Sequence, residues 1–161
     1  MKKTAVLYIC HVIDDETKFR YAEMKRGADA LGYDIFWAID VKCVGVDTEI
    51  PSDINFYPFS YGEFKIRLPY CVFTKHGDQN FNATPSAAHL FHEDHPEYDF
   101  VWNIEYDVCY LGDWETFFKK YDADDSAFLT TTMRLNDFRW MWFRKEYFSQ
   151  EIEDALAKDG V

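Results

Sequence analysis

Two carboxylates spaced i, i+2, Glu105 and Asp107, follow directly on the apolar run Phe100-Val101-Trp102-Asn103-Ile104. If the backbone stays extended through Asp107, both side chains point to one side, about 6.6 Å apart along the strand. At ~6 Å and an effective dielectric of about 20, their repulsion is roughly 3 kcal/mol, or about two pKa units. A partly buried pair of this kind needs a proton, a base or a divalent cation. No Lys or Arg occurs between Gly77 and Phe118, so no cationic partner is close in sequence. A hard cation held by carboxylate oxygens, with a phosphate in its remaining positions, satisfies the same charges. Fully solvated, at a dielectric of about 80, the repulsion falls to about 0.7 kcal/mol. The pair then reads as two acids on a surface turn.

Other polar residues compete for chemical roles. His11 ends an apolar run and could touch a phosphate, or be a satisfied structural group. Asp40 ends a second run, where dinucleotide-binding folds carry the acid that holds a ribose. The fingerprint glycines are absent, because His11-Val12-Ile13-Asp14 stands where G-x-G-x-x-G would begin. No Walker glycine–lysine loop and no G-x-S-x-G elbow occurs either. His89, His92 and His95 fall at i, i+3, i+6, so neighbouring pairs could share a helix face and begin a zinc site. The order His92-Glu93-Asp94-His95 is not H-E-x-x-H, and imidazoles near a helix C-terminus are the plainer reading. Cys10, Cys43, Cys71 and Cys109 form no C-x-x-C pair; they read as reduced thiols, mostly in the core, of a cytoplasmic protein.

The elements that must position these residues follow from periodicity. Thr4 to Val12 is long and apolar enough for a buried strand. Asp14 and Asp15 are N-cap candidates for a helix of about 17 residues, with Tyr21, Met24, Ala28 and Leu31 at helical spacing. Gly32 is its natural stop, and Tyr33 to Ile39 is the next strand, ending at Asp40. Strand, helix and strand make a βαβ unit with parallel strands. Val41 to Asp53 reads as a loop, Ile54 to Phe59 as a third strand, and Tyr61 to Lys75 is ambiguous because of Pro69. Thr84-Pro85 signals a helix start, with a run to about Asp94 before Pro96. Phe100 to Glu105 is a strand, and Gly112-Asp113 opens a helix with Trp114, Phe117, Phe118 and Tyr121 on one face. Ala127 to Met133 reads as a strand, Phe138 to Phe143 as extended or irregular, and Ser149 caps a last helix.

Alternating strands and helices predict one α/β domain with a mostly parallel central sheet and helices on both faces. Val6, Ile9, Phe36, Ile39, Val101 and Ile104 should be buried in it. Ligands of such folds sit at the carboxyl ends of the strands. His11, Asp40, Glu105 and Asp107 should therefore share one edge and one cleft. A length of 161 residues suits one domain, and a net charge of −12 disfavours binding to phosphate backbones of nucleic acids. No apolar run is long enough to span a membrane. The basic-apolar start lacks a small-residue cleavage site before Asp14-Asp15-Glu16, so it is not read as a signal peptide.

The stretch Glu97-Tyr98-Asp99-Phe100-Val101-Trp102-Asn103-Ile104-Glu105-Tyr106-Asp107-Val108, followed by Gly112-Asp113-Trp114, resembles the nucleotide-sugar-dependent glycosyltransferases of the GT-A fold. It is similar in particular to a group whose D-x-D equivalent reads E-Y-D and is followed by G-x-W. The resemblance runs from Val6 to about Leu156 and includes Leu129-Thr130-Thr131-Thr132. It implies a Rossmann-like nucleotide-binding half in which carboxylates hold Mn2+ or Mg2+, and the metal binds the diphosphate of a nucleoside-diphosphate sugar. Asp107 would be the direct metal ligand, and Glu105 would contact the ribose or the metal's water shell. The neighbourhoods of His11 and Asp40 would flank the nucleoside. The family also has a second half that shapes the acceptor site, whereas this sequence stops at Val161. A truncated or short relative is therefore expected. The aromatic segment Phe138, Trp140, Met141, Trp142, Phe143, Tyr147 and Phe148 reads first as core, or else as a sugar platform or an interface; with the second half missing, part of it would be exposed and drive self-association. Asp137 is a candidate base only because it follows a strand end. The alternative function is a non-catalytic module that binds a nucleotide, metal or protein.

Overall fold

The computed structural model of the protein describes residues 2–41, 52–68, 83–126 and 129. The chain divides into two compact units, Met1–Ala123 and Asp124–Val161, and every element below lies in the first. In chain order these are β1 (Thr4–Cys10), α1 (Asp15–Ala30), β2 (Asp34–Asp40), β3 (Phe56–Phe59), α2 (Tyr61–Arg67), α3 (Ala83–Asp94), β4 (Phe100–Glu105) and α4 (Trp114–Tyr121). The strands form one sheet in the order β3-β2-β1-β4, and each neighbouring pair is parallel.

Strand β1 lies between β2 and β4, and all seven of its residues are buried. Its uninterrupted apolar run is what a parallel strand covered on both faces requires. Alternation sends its side chains two ways. Ala5, Leu7 and Ile9 join Phe64 and Leu68 of the α2 region and Ala87, Leu90 and Phe91 of α3 in one core. Val6, Tyr8 and Cys10 join Tyr21, Met24 and Ala28 of α1 and Phe118 of α4 in the other. Helices thus cover both faces of a parallel sheet, as the sequence predicts.

Local chemistry fixes α1 at both ends. Asp14 accepts from Thr17 N at 2.8 Å, and Thr17 Oγ1 accepts from Asp14 N at 2.9 Å, a reciprocal capping box. At the other end Gly32 takes φ 71°, where a side chain would be strained. Its N–H donates to Asp29 O at 3.1 Å, and Tyr33 N donates to Ala28 O at 3.0 Å, a Schellman closure. The turn into β2 is therefore set by one glycine.

Several boundaries differ from expectation. β1 ends at Cys10 rather than Val12, and β3 starts at Phe56 rather than Ile54. The ambiguous stretch resolves into the short helix α2, whose N-cap Ser60 accepts from Glu63 N at 3.2 Å. Helix α3 begins at Ala83, so Thr84 and Pro85 lie in its first turn instead of capping it. The proline is tolerated there because first-turn N–H groups have no partner within the helix. Phe36 and Val101 are half-buried, unlike Val6, Ile9, Ile39 and Ile104. Val101 lies on β4, which has a neighbour on one side only among the described strands. The expected segments 42–51, 138–143 and 149–156 lie outside the described residues. So do 127–133, apart from Leu129, which is exposed and in no regular element. No described helix is long and apolar enough to cross a membrane.

Candidate functional site

Parallel topology brings the carboxyl ends of β1, β2 and β4 to one edge. Cys10 pairs with Ile39, so His11 and Asp40, each one residue further, stand at the same level of this edge, Asp40 still paired with Phe59 of β3. Ile9 pairs with Glu105, and Tyr106 N donates to Ile9 O at 2.9 Å, extending that ladder by one step. His11 packs edge-on against Tyr106, with ring centroids 4.6 Å apart at 87°. The ends of β1 and β4 are thus in side-chain contact. Strand order reverses here: β2 and β3 extend to one side of β1 and β4 lies on the other.

The carboxylate pair departs from its expected geometry. β4 ends at Glu105, and Val108 N donates to Glu105 O at 3.1 Å, closing a β-turn over Glu105–Val108. Asp107 is therefore not an extended i, i+2 companion of Glu105, and strand alternation does not set its direction. Both acids are exposed. Between them, partial burial raises the Tyr106 phenol above its usual value, and neighbouring Asp107, Cys10 and Glu105 act in the same direction.

A cation from α1 reaches the backbone of this turn rather than its carboxylates. Arg20 Nη1 donates to the carbonyls of Tyr106 at 3.2 Å and Val108 at 3.4 Å, while Nη2 pairs with Glu16. No local signal marks Arg20, since 86 positions separate it from Tyr106. Only its place on α1, packed beside the β4 exit, reveals it.

The remaining candidates are scattered. His89 Nε2 lies 3.7 Å from Glu93, and His95 Nδ1 lies 3.4 Å from Glu97. His95 sits beyond the end of α3 and nests among the rings of Phe36, Tyr57, Phe91 and Tyr98. His89 and His92 thus stay at i, i+3 on α3, near its C-terminus as the plainer reading has it, whereas His95 lies past the helix end in surroundings of its own. Among the described residues no three His, Cys, Asp or Glu side chains converge on a metal-sized point. Cys10 is buried, donates to Val12 O at 2.6 Å, and has its thiol pushed up by burial. Cys109 is exposed after the β4 turn, contrary to a core position. Cys43, Cys71 and Asp137 lie outside the described residues.

A depression of about 200 Å³ lies away from this edge, between α1 and the start of α4, lined by Glu23, Arg26, Gly27 and Gly112–Glu115. Arg26 pairs with Glu23, and Asp113 caps α4 by accepting from Thr116 N at 2.8 Å.

No curated protein and no solved structure matches the chain. A family model described as a protein of unknown function, DUF3405, matches residues 46–127, which include β3, α2, α3, β4, the Glu105–Val108 turn and α4. That match covers just over half of the 161 residues, and the chain belongs to this family.

Proposed function

We propose that the sheet edge bearing His11, Asp40, Glu105 and Asp107 binds a nucleoside-diphosphate sugar together with Mn2+ or Mg2+, as part of a glycosyltransferase-like domain. The observation that carries the reading is the junction of the β1 and β4 ends, where strand order reverses and His11 meets Tyr106 at 4.6 Å. Doubly wound sheets bind nucleotides outside the carboxyl ends of their strands, at such reversals. Two carboxylates suit the donor set, because Mg2+-like ions commonly take one or two carboxylates and complete their shell with water and substrate phosphates. Asp107 would hold the ion directly, and Glu105 would act through its water shell or on a ribose. His11 and Asp40 would border the nucleoside. The ion, when bound, would offset diphosphate charge and stabilise the leaving group. A second reading, binding without turnover, draws on the exposure of both carboxylates, because a solvated pair repels by only about 0.7 kcal/mol and needs no cation.

Titration calorimetry and thermal melting with UDP or GDP plus Mn2+ test the proposal. Wild type should bind, Asp107→Asn should lose most of that binding, and Glu105→Gln should lose less. A ligand at about 100 times its Kd stabilises a fold by about 2.7 kcal/mol. At about 2–4 °C per kcal/mol, the melting temperature should rise by several degrees. Equal binding by wild type and Asp107→Asn would remove the metal–nucleotide reading.

A further inference from the structure

We infer that Arg20 is a positioning residue for the Glu105–Val108 turn, its guanidinium fork fixing the backbone that carries Asp107. The inference rests on the reading of that turn as a metal–nucleotide site, but its geometry stands by itself. A β-turn leaves carbonyls without partners, and here the turn's own hydrogen bond uses only Glu105 O. Tyr106 O and Val108 O, on either side of Asp107, are the two oxygens that Arg20 Nη1 reaches. The peptide that precedes Asp107 and the one that follows Val108 are thus both tied to a helix.

The helix makes a firm anchor. Glu16, one turn earlier on α1, takes the other guanidinium nitrogen and restricts the side chain's rotation. The Asp14–Thr17 capping box fixes the same end of α1. Below, Thr17 is buried, and Tyr21 and Met24 lie in the core that also holds Val6, Tyr8 and Cys10 of β1. Arg20 therefore joins the segments that follow β1 and β4. A guanidinium is suited to this work because its planar donors can serve three acceptors at once. An ammonium supplies the charge without the fork.

Such outer contacts commonly change metal affinity about 10–100-fold when removed. Arg20→Gln and Arg20→Lys should be compared with wild type in two measurements. The first is amide hydrogen exchange across 105–109, with no ligand present. The Tyr106 and Val108 amides donate to Ile9 O and Glu105 O, and Arg20→Gln should speed their exchange by about tenfold as the turn loses its charged donor. The β2 amides should not change. Arg20→Lys should fall between the two. The second measurement is Mn2+ affinity of the 161-residue chain in the presence of UDP. Arg20→Gln should weaken it about tenfold, with Arg20→Lys again intermediate.

The outcomes separate the two ideas. Unchanged exchange of the Tyr106 and Val108 amides in Arg20→Gln would overturn the positioning role, whatever the metal does. Wild-type behaviour of Arg20→Lys would trace the effect to charge and overturn the role of the fork. Altered exchange with no Mn2+ binding even by wild type would sustain the positioning of the turn and sink the metal–nucleotide reading alone. Mn2+ affinity equal in wild type and Arg20→Gln would overturn the functional consequence drawn here.

Discussion

Asp94 joins residues from three elements. It accepts from Tyr57 Oη of β3 at 2.7 Å and from Arg67 of α2 at 2.7 and 3.1 Å. Arg67 also reaches Glu63 and Glu93, each at 3.1 Å. The Arg67 hydrogen bond, followed by that from Tyr57, holds the Asp94 carboxyl below its ordinary 3.8. A depressed folded pKa contributes stability above the unfolded value, and that contribution is lost as pH falls through the folded one. Asp94→Asn should therefore lower the melting temperature at neutral pH. The difference should close as pH drops below 3.8. The side chain is 38% exposed, so screening limits the effect to about 1 kcal/mol. Melting curves at successive pH values check this, and a gap still open at about pH 2 would trace it to shape. Arg67 and Asp94 gave no sign of this pairing in sequence, because it crosses from one helix to another. His11, Asp40 and Glu105 were legible because strand ends follow from apolar runs. Asp107 was legible as an acid but not in its direction, because a turn replaces the expected extended backbone.

Among the elements, α1 and α4 come into close contact at Gly27. A Cβ there would lie 2.6 Å from Glu115 N and 2.6 Å from Trp114 Cβ. These are backbone or near-backbone atoms, so they cannot swing aside. By helix propensity, Gly→Ala should stabilise by about 0.8–1.0 kcal/mol. Overpacking costs about 1–3 kcal/mol, so Gly27→Ala should be neutral at best and otherwise less stable. Urea unfolding measures the sign, and a gain of the full propensity value would refute the close contact. The sequence marks Gly32 as a stop because it ends a periodic run, and the structure bears that out with φ 71°. It does not mark Gly27, because a glycine inside a helix reads only as a weak position until the partner helix is known. Likewise α2 is only seven residues long, too short for periodicity to stand out beside Pro69.

In the molecule as a whole, β1 has a hydrogen-bonded strand on each side and a buried helical layer over each face. Amides of Ala5 to Cys10 should therefore exchange only through the largest opening of the first unit. Those of β3, four residues long at one side of the described sheet, should exchange through smaller openings. Native-state exchange at increasing denaturant checks this, and faster exchange in β1 than in β3 would contradict the strand order. Parallel architecture was legible from the strand–helix–strand rhythm. The order β3-β2-β1-β4 was not, because strand neighbours depend on contacts far apart in the chain.

That distance bears on how the protein is made. Lys3 N donates to the Asp99 carboxylate 96 positions later, at the point where β4 joins β1. β2 reaches β1 through one helix, α1, whereas β4 must wait for most of the first unit to be synthesised. Non-local pairings of this kind slow folding. At about 5–20 residues per second, a ribosome leaves the β4 side of β1 unpaired for several seconds or more. Throughout that interval an apolar strand presents open backbone groups, a template for another nascent chain. The strand most protected in the finished sheet is thus the one most in need of a chaperone during translation.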